Sequence, residues 1–332
     1  MDRRDQNRGN QGRMKARAAL LLLCAIAAAA HAQVYPARAI RIVVPFTPAG
    51  PTDFNARLIA QKLSEAWGQP VIVENRPAAG GVPGTDLVAK AGADGYTLLG
   101  ANTGPLAIAP GLYPKLPYDP LKNFTPVILT TQTMGVFAVH AGVPAKSIQE
   151  LIALAKANPG KLIFGSTGIG TVSHLSFELF VHMAGIKMIH VPYKGAGPGI
   201  IDVISGQILV MAPSIITVLN YVKAGRLRAL GVTSLKRASG LSDIPTIAES
   251  GVPGYDAAQW FGLMAPAGTS MEIVTLLRTS VAQGLQNPEV RARLLSDGAE
   301  VVANTPEEFS TYLRAETVKW AEVVKRSSIR IE

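Results

Sequence analysis

The chain has 332 residues, 48% of them hydrophobic and 17% charged, which excludes a disordered or fibrous protein and suits about two domains, each with its own core. Lys and Arg outnumber Asp and Glu by 32 to 23. No basic run interleaved with aromatics follows the first 32 residues, so nucleic acid is not an expected partner.

Residues 1–32 read as a signal peptide. Lys15 and Arg17 precede an apolar run from Ala18 to Ala30, and Ala30-His31-Ala32 is a cleavage signature. The run has 13 residues, where a bilayer span needs about 20. The Arg-rich stretch before Met14 exceeds what a leader requires, which points to Met14 as the true start. Arg3-Arg4 lacks the following residues of a twin-arginine signal. Cleavage after Ala32 sheds six basic and two acidic residues, lowering the net charge from +9 to +5. It also removes Cys24, the one cysteine, and Leu23 before it does not suit a lipoprotein signal. A cysteine-free mature chain in the periplasm is therefore expected, without disulfides or thiol chemistry.

After the leader, short β-rich runs alternate with helical patterns. The run Ile40–Val44 leads through a Gly/Pro/Thr loop to Asp53, and then to a helix expected over 54–67. Its apolar face is Phe54, Leu58, Ile59, Leu63 and Trp67, and Gly68 ends it. A strand over 71–73, a Gly-Gly-Val-Pro-Gly loop, a helix near 85–90 and a strand over 96–99 continue the rhythm. A second cycle starts at 137–139. Ser147-Ile-Gln-Glu150 is a capping box opening a helix that stops before Asn158-Pro159-Gly160. Strands at 162–164, 188–191 and 208–211 follow, with a helix over 172–183. A last apolar run lies at 262–265, and Thr305-Pro-Glu-Glu308 opens the final helix.

This βαβ pattern predicts an α/β fold of two lobes, each a mixed, mostly parallel sheet flanked by helices, with a cleft between them. Lobe 1 is expected over 33–136 and 260–332, and lobe 2 over 137–259. Two strand–loop–helix passages stand out: Ile42 to Asp53 before one helix, and Leu162 to Thr171 before another. Such loops aim unpaired backbone N–H groups at one point, with the positive end of a helix dipole behind them. Neither loop holds Lys or Arg, nor a nucleophile–base pair. Two anion cradles without chemistry indicate a protein that holds a small acid rather than transforms it.

Several passages in joint order resemble the Bug substrate-binding receptors of tripartite tricarboxylate transporters. They are Val44-Pro-Phe46 with Asp53 and Ala56-Arg57, Val73-Glu-Asn-Arg-Pro77, Asp94-Gly-Tyr-Thr-Leu98, Ser166 to His174, Val191-Pro-Tyr-Lys-Gly195, Ala224 to Ala229, Asp243-Ile-Pro-Thr246 and Phe261 to Pro266. The resemblance covers nearly the whole mature chain. It implies a two-lobed, type II-like periplasmic binding protein that closes on a small carboxylate and passes it to membrane permease subunits. By the same resemblance, Phe46, Thr47, Ala49, Gly50, Thr52 and Asp53 form one jaw. Ser166, Thr167, Gly168, Gly170, Thr171 and His174 form the other, with Asn102 and Thr103 on the floor and Ser214 in the distal half. Ala49 stands where members often have glycine. Pro213-Ser214 stands where many have an acid, which disfavours a ligand bearing an ammonium group.

Plainer roles weigh against some of these assignments. A carboxylate repels a carboxylate, so Asp53 is better read as a helix N-cap that fixes the jaw. His174 suits a ligand donor or a packed histidine equally. His182 and His190 lack the i, i+4 spacing of a metal pair, so no metal and no cofactor are expected. Gly165-Ser-Thr-Gly168 is not a nucleophile elbow. In Gly168-Ile-Gly170-Thr-Val-Ser173, serine replaces the third glycine of a dinucleotide loop. Lys194 reads as solvated and Trp260 as a core or hinge packer. The leading expectation is a monomeric periplasmic receptor for a small organic acid. A sensor for a membrane signalling partner and an enzyme on the same scaffold are the alternatives.

Overall fold

The computed structural model describes residues 35–238, 242–296, 298–327 and 329. The expected leader, its cleavage site and Cys24 lie outside the described residues.

The strands are β1 (Ile40–Val44), β2 (Val71–Asn75), β3 (Thr97–Asn102), β4 (Phe124–Thr133), β5 (Val136–His140) and β6 (Ile163–Ser166). After them come β7 (Ile189–Pro192), β8 (Val210–Met211), β9 (Leu227–Val232), β10 (Gln259–Pro266) and β11 (Ala299–Val301). They build two sheets, one ordered β11-β4-β10-β3-β1-β2 and the other β7-β6-β8-β5-β9. β1 is apolar at four of its five positions and lies between two parallel neighbours, as suits a strand buried on both faces.

The helices are α1 (Pro51–Trp67), α2 (Val82–Ala89), α3 (Ala109–Leu112), α4 (Ile148–Ala157) and α5 (Val172–Ala184). The rest are α6 (Ala196–Ile204), α7 (Ile215–Lys223), α8 (Met271–Gln286), α9 (Pro288–Ser296) and α10 (Pro306–Ser327). α1 starts three residues ahead of its expected position. Gly50 is its N-cap, and Pro51 takes the first helical position, where a missing N–H costs nothing. Of the two expected capping boxes, the one at Thr305 closes in both directions, whereas at Ser147 the Glu150 carboxylate accepts the Lys146 N–H instead of the Ser147 N–H. Ser147 Oγ accepts the Glu150 N–H at 3.1 Å, and Thr305 and Glu308 exchange bonds of 2.8 and 3.2 Å.

The fold is two-lobed α/β, with helices flanking both sheets. Parallel pairing is confined to β2-β1-β3 and β7-β6-β8, whereas β4, β5, β9, β10 and β11 pair antiparallel. The sheets are thus more evenly mixed than the βαβ rhythm suggests. β4 and β10 belong to the first sheet, and the chain between them builds the second. Strands that leave and re-enter a sheet in this way oppose the strands joined by helical crossovers.

One core runs from Val43 and Leu99 beneath the first sheet to Phe137, Phe164, Phe177 and Phe180 under the second. Phe177 stacks on Phe137 at 4.0 Å and on Phe164 at 4.7 Å. Burying each such side chain contributes about 1.5–3 kcal/mol. Trp260 belongs to the same core, and its indole N–H donates to Glu316 Oε2 at 3.1 Å.

Candidate ligand cleft

The first loop leaves β1 at Val44 and turns into α1. Its shape depends on Asp53, which is buried and lies in the first turn of α1 rather than at the N-cap, because Gly50 holds that position. The Asp53 carboxylate accepts the Ala49 N–H at 3.0 Å, Arg57 Nε at 2.8 Å and Asn75 Nδ2 at 2.9 Å. Burial raises its pKa, but the Arg57, Ala49 and Asn75 hydrogen bonds outweigh that and leave it below the ordinary aspartate value. Its charge is used to fold the loop. Ala49 adopts φ +65°, which explains why glycine would serve there. Asn102 at the end of β3 donates to Thr52 Oγ1 at 2.7 Å and accepts the Gly104 N–H at 3.0 Å, tying the floor to the jaw.

The second loop leaves β6 at Ser166 and enters α5. Thr171 is the N-cap: its hydroxyl accepts the His174 N–H at 3.3 Å and donates to the Gly168 carbonyl at 2.8 Å. Gly168 and Gly170 have φ of +142° and +72°. The Gly170 N–H donates to His174 Nδ1 at 3.1 Å, and Gly168 N–H to Ser166 Oγ at 3.2 Å. Two of the loop's own amides are therefore already used.

What remains unpaired is the first turn of each helix. The first intrahelical bond of α1 is Phe54 N–H to the Gly50 carbonyl, and that of α5 is Leu175 N–H to the Thr171 carbonyl. Thr52 and Asp53 in α1, and Val172 and Ser173 in α5, have no intrahelical acceptor for their N–H groups. Ser173 Oγ is also buried without a hydrogen-bond partner.

Thr52, Val172 and Ser173 line one cleft of about 900 Å³. Of the residues singled out in the sequence, Phe46, Thr47, Gly50, Thr52, Asn102, Thr167, Gly170, Thr171 and Ser214 line it too. Ala49, Asp53, Thr103, Ser166, Gly168 and His174 do not. Asp53, Thr103, Ser166 and His174 are buried in the layer behind the wall, where Thr103 Oγ1 accepts the Trp260 N–H at 2.9 Å; Gly168 is half-buried and Ala49 is exposed. Ser166 is fully buried and pairs with His190 at 2.7 Å rather than with His174. Lys194 is exposed and is not part of the lining.

The lining also includes Tyr113, Met134, Gly135, Ile169 and Gln259, which sequence reasoning did not single out. Met134 and Gly135 join β4 to β5, and Gln259 opens β10, so the expected crossings near Val136 and Trp260 could have pointed to them. Tyr113 gave no such signal. Among the described lining residues none is Asp, Glu, Lys, Arg or His. Unpaired helical N–H groups and partial positive helix ends in an uncharged cleft favour an anion bound by hydrogen bonds.

Comparison with known proteins agrees with this geometry. The family model described as the tripartite tricarboxylate transporter family receptor matches residues 55–329. Protein BugT of Bordetella pertussis is 38% identical over 308 residues, spanning 92% of this chain and 94% of that one. The solved structure of Rpa4515 from R. palustris with adipate is 39% identical, with a TM-score of 0.74 over 89% of this chain and 99% of that one. MatC (Rpa3494) from Rhodopseudomonas palustris, solved with bound malate, is 33% identical, with a TM-score of 0.71 over 87% of this chain and all of the other.

Proposed function

This chain belongs to the tripartite tricarboxylate transporter receptor family, and from that premise we propose that it is a periplasmic receptor that captures a small organic carboxylate between its lobes and delivers it to a membrane permease. The observation that carries the reading is the pair of helix N-termini, α1 and α5, opening on one cleft without charged side chains. Thr52, Asn102 and Ser173 are the side chains assigned to the carboxylate, with the backbone amides of the first helical turns. Lobe 1 is assigned to 33–136 and 260–332, and lobe 2 to 137–259. The receptor acts as a monomer, without cofactor and without turnover.

Magnitudes support a site without an arginine clamp. Four charge-assisted hydrogen bonds supply roughly 6–12 kcal/mol, and helix dipoles up to about 2 more. Association and side-chain ordering offset several kcal/mol. A micromolar constant, about −8 kcal/mol, is within reach.

A thermal-shift panel of organic acids, including adipate and malate, tests the reading. At least one acid should raise the melting temperature, because a ligand that binds only the native state stabilises it. Shifts with sugars or amines alone would overturn the proposal, and product formation from a stabilising acid would make the protein an enzyme.

A further inference from the structure

The second loop rests on two imidazoles. His174 Nδ1 accepts the Gly170 N–H, so that nitrogen carries no proton and Nε2 does. Nε2 faces Glu178 Oε1 at 3.5 Å. At the other end of the loop His190 Nε2 meets Ser166 Oγ, which also accepts the Gly168 N–H. The two rings stack, with centroids 3.7 Å apart and planes inclined by 11°. Phe164 lies alongside the pair, its ring centroid 5.0 Å from that of His190 and 6.4 Å from that of His174. Both amides held in this way belong to glycines with positive φ, so the loop conformation depends on these bonds.

We propose that the stacked His174–His190 pair is a proton-sensitive strut, which holds the second loop in its ligand-receiving geometry only while both rings are neutral. The consequence for ligand rests on the reading of the cleft as an anion site. A proton on His174 Nδ1 would replace the acceptor of the Gly170 N–H with a second donor, and the loop would have to move. A proton on either ring places a positive charge against its stacked neighbour.

The surroundings fit. Burial first, and then the His174 charge, hold the His190 pKa down at about 4, with Glu178 opposing. Burial raises the Glu178 pKa, but His174 and the Ser327 hydroxyl of α10 more than offset this, so Glu178 keeps its charge. β6 contributes only the Ser166 hydroxyl and the Phe164 ring to the pair. His174 is thus a positioning residue that acts through Gly170, one layer behind the cleft wall.

The test needs no ligand. In the mature full-length chain, nitrogen NMR of labelled histidines should show the Nε2–H tautomer of His174 at pH 8. The protection factor of the Gly170 amide, corrected for intrinsic exchange, should fall at least tenfold as the pH is lowered from 8 to 3.5, through the His190 value of about 4, while β1 amides keep theirs. His174→Gln retains an acceptor that does not titrate, and should flatten that dependence. His174→Phe retains a stacked ring without an acceptor, and should lower the protection at every pH. An Nδ1–H tautomer at pH 8, Gly170 protection that does not change with pH, or protection unchanged in His174→Phe would overturn the proposal. Should a variant fail to fold, the wild-type tautomer and exchange series decide alone. Titration with adipate and the acid panel separates the two claims: a working strut in a protein that binds no acid refutes the anion site and leaves the strut standing.

Discussion

Replacing Gly170 by valine asks whether backbone geometry, rather than side-chain charge, holds the ligand. Gly170 has φ +72°, and its N–H is bonded to His174. An L residue in that region costs about 1–2 kcal/mol, and a β-branched one lies at the upper end. Relaxing to negative φ swings the N–H away from His174 and forfeits a hydrogen bond of about 1 kcal/mol. By either route the binding-competent loop is raised by about 1–2 kcal/mol, a loss of about five- to thirtyfold in affinity. Lys194→Ala should cost less than tenfold, because Lys194 lies outside the cleft lining. Both variants should retain the near-ultraviolet circular dichroism of the parent, since neither site is in the core. Calorimetric titration with the strongest acid from the panel provides the numbers. A nearly silent Gly170→Val beside a large loss in Lys194→Ala would refute the backbone mechanism.

Other sites give independent tests. Asp53→Ala removes the acceptor for Ala49, Arg57 and Asn75, and should lower stability at pH 7 by about 1–3 kcal/mol in denaturant unfolding. Because folding depresses the Asp53 pKa, its contribution is present above pH 3.8 and fades as the pH falls through the folded value; the gap between parent and variant should close in that window. Glu316→Ala leaves the buried indole N–H groups of Trp260 and Trp320 without their shared acceptor. At about 1–3 kcal/mol for each orphaned donor, the denaturant midpoint should fall by the equivalent of roughly 2–6 kcal/mol, and a loss under about 0.5 would count against this account. Intact-mass measurement of periplasmic protein should show a chain starting at Gln33; a retained leader, or a lipid on Cys24, would contradict secretion by cleavage.

The parts legible in the sequence are those where local chemistry and tertiary context agree. β1 and the apolar stripe Leu58, Ile59 and Leu63 are buried as their spacing predicts. The start of α1 was less legible, because Pro51 reads equally as loop residue and as first helical position. β4 gave no sequence signal, since Pro126 interrupts it and proline is poorly tolerated inside a sheet. The structure accommodates Pro126 beside a register irregularity against β10, and β11 covers only Thr131–Thr133 on the other side, so no ladder bond is demanded there.

The candidate site follows the same division. Loops between a strand and a helix carry their Gly, Thr and Pro signals in plain order, so the two jaws could be located, and the family resemblance singled out Thr47, Thr52, Thr167 and Gly170 within them. Tyr113 reaches the cleft only through the packing of distant elements, whereas Met134 sits at a crossing between the two sheets. The Ser166–His190 and His174–His190 contacts join residues 24 and 16 positions apart, on strands and a helix whose register no local pattern specifies.

The central claim is that helix-end amides hold a carboxylate, and calorimetric titration of one acid against its own primary amide tests it most directly. The two compounds share shape and hydrogen-bonding reach and differ in the negative charge and the added donors. The strongest acid from the panel should bind at least tenfold more tightly than its amide, with no product formed. Equal binding of the amide, or tighter binding, would contradict the anion site and the account built on it.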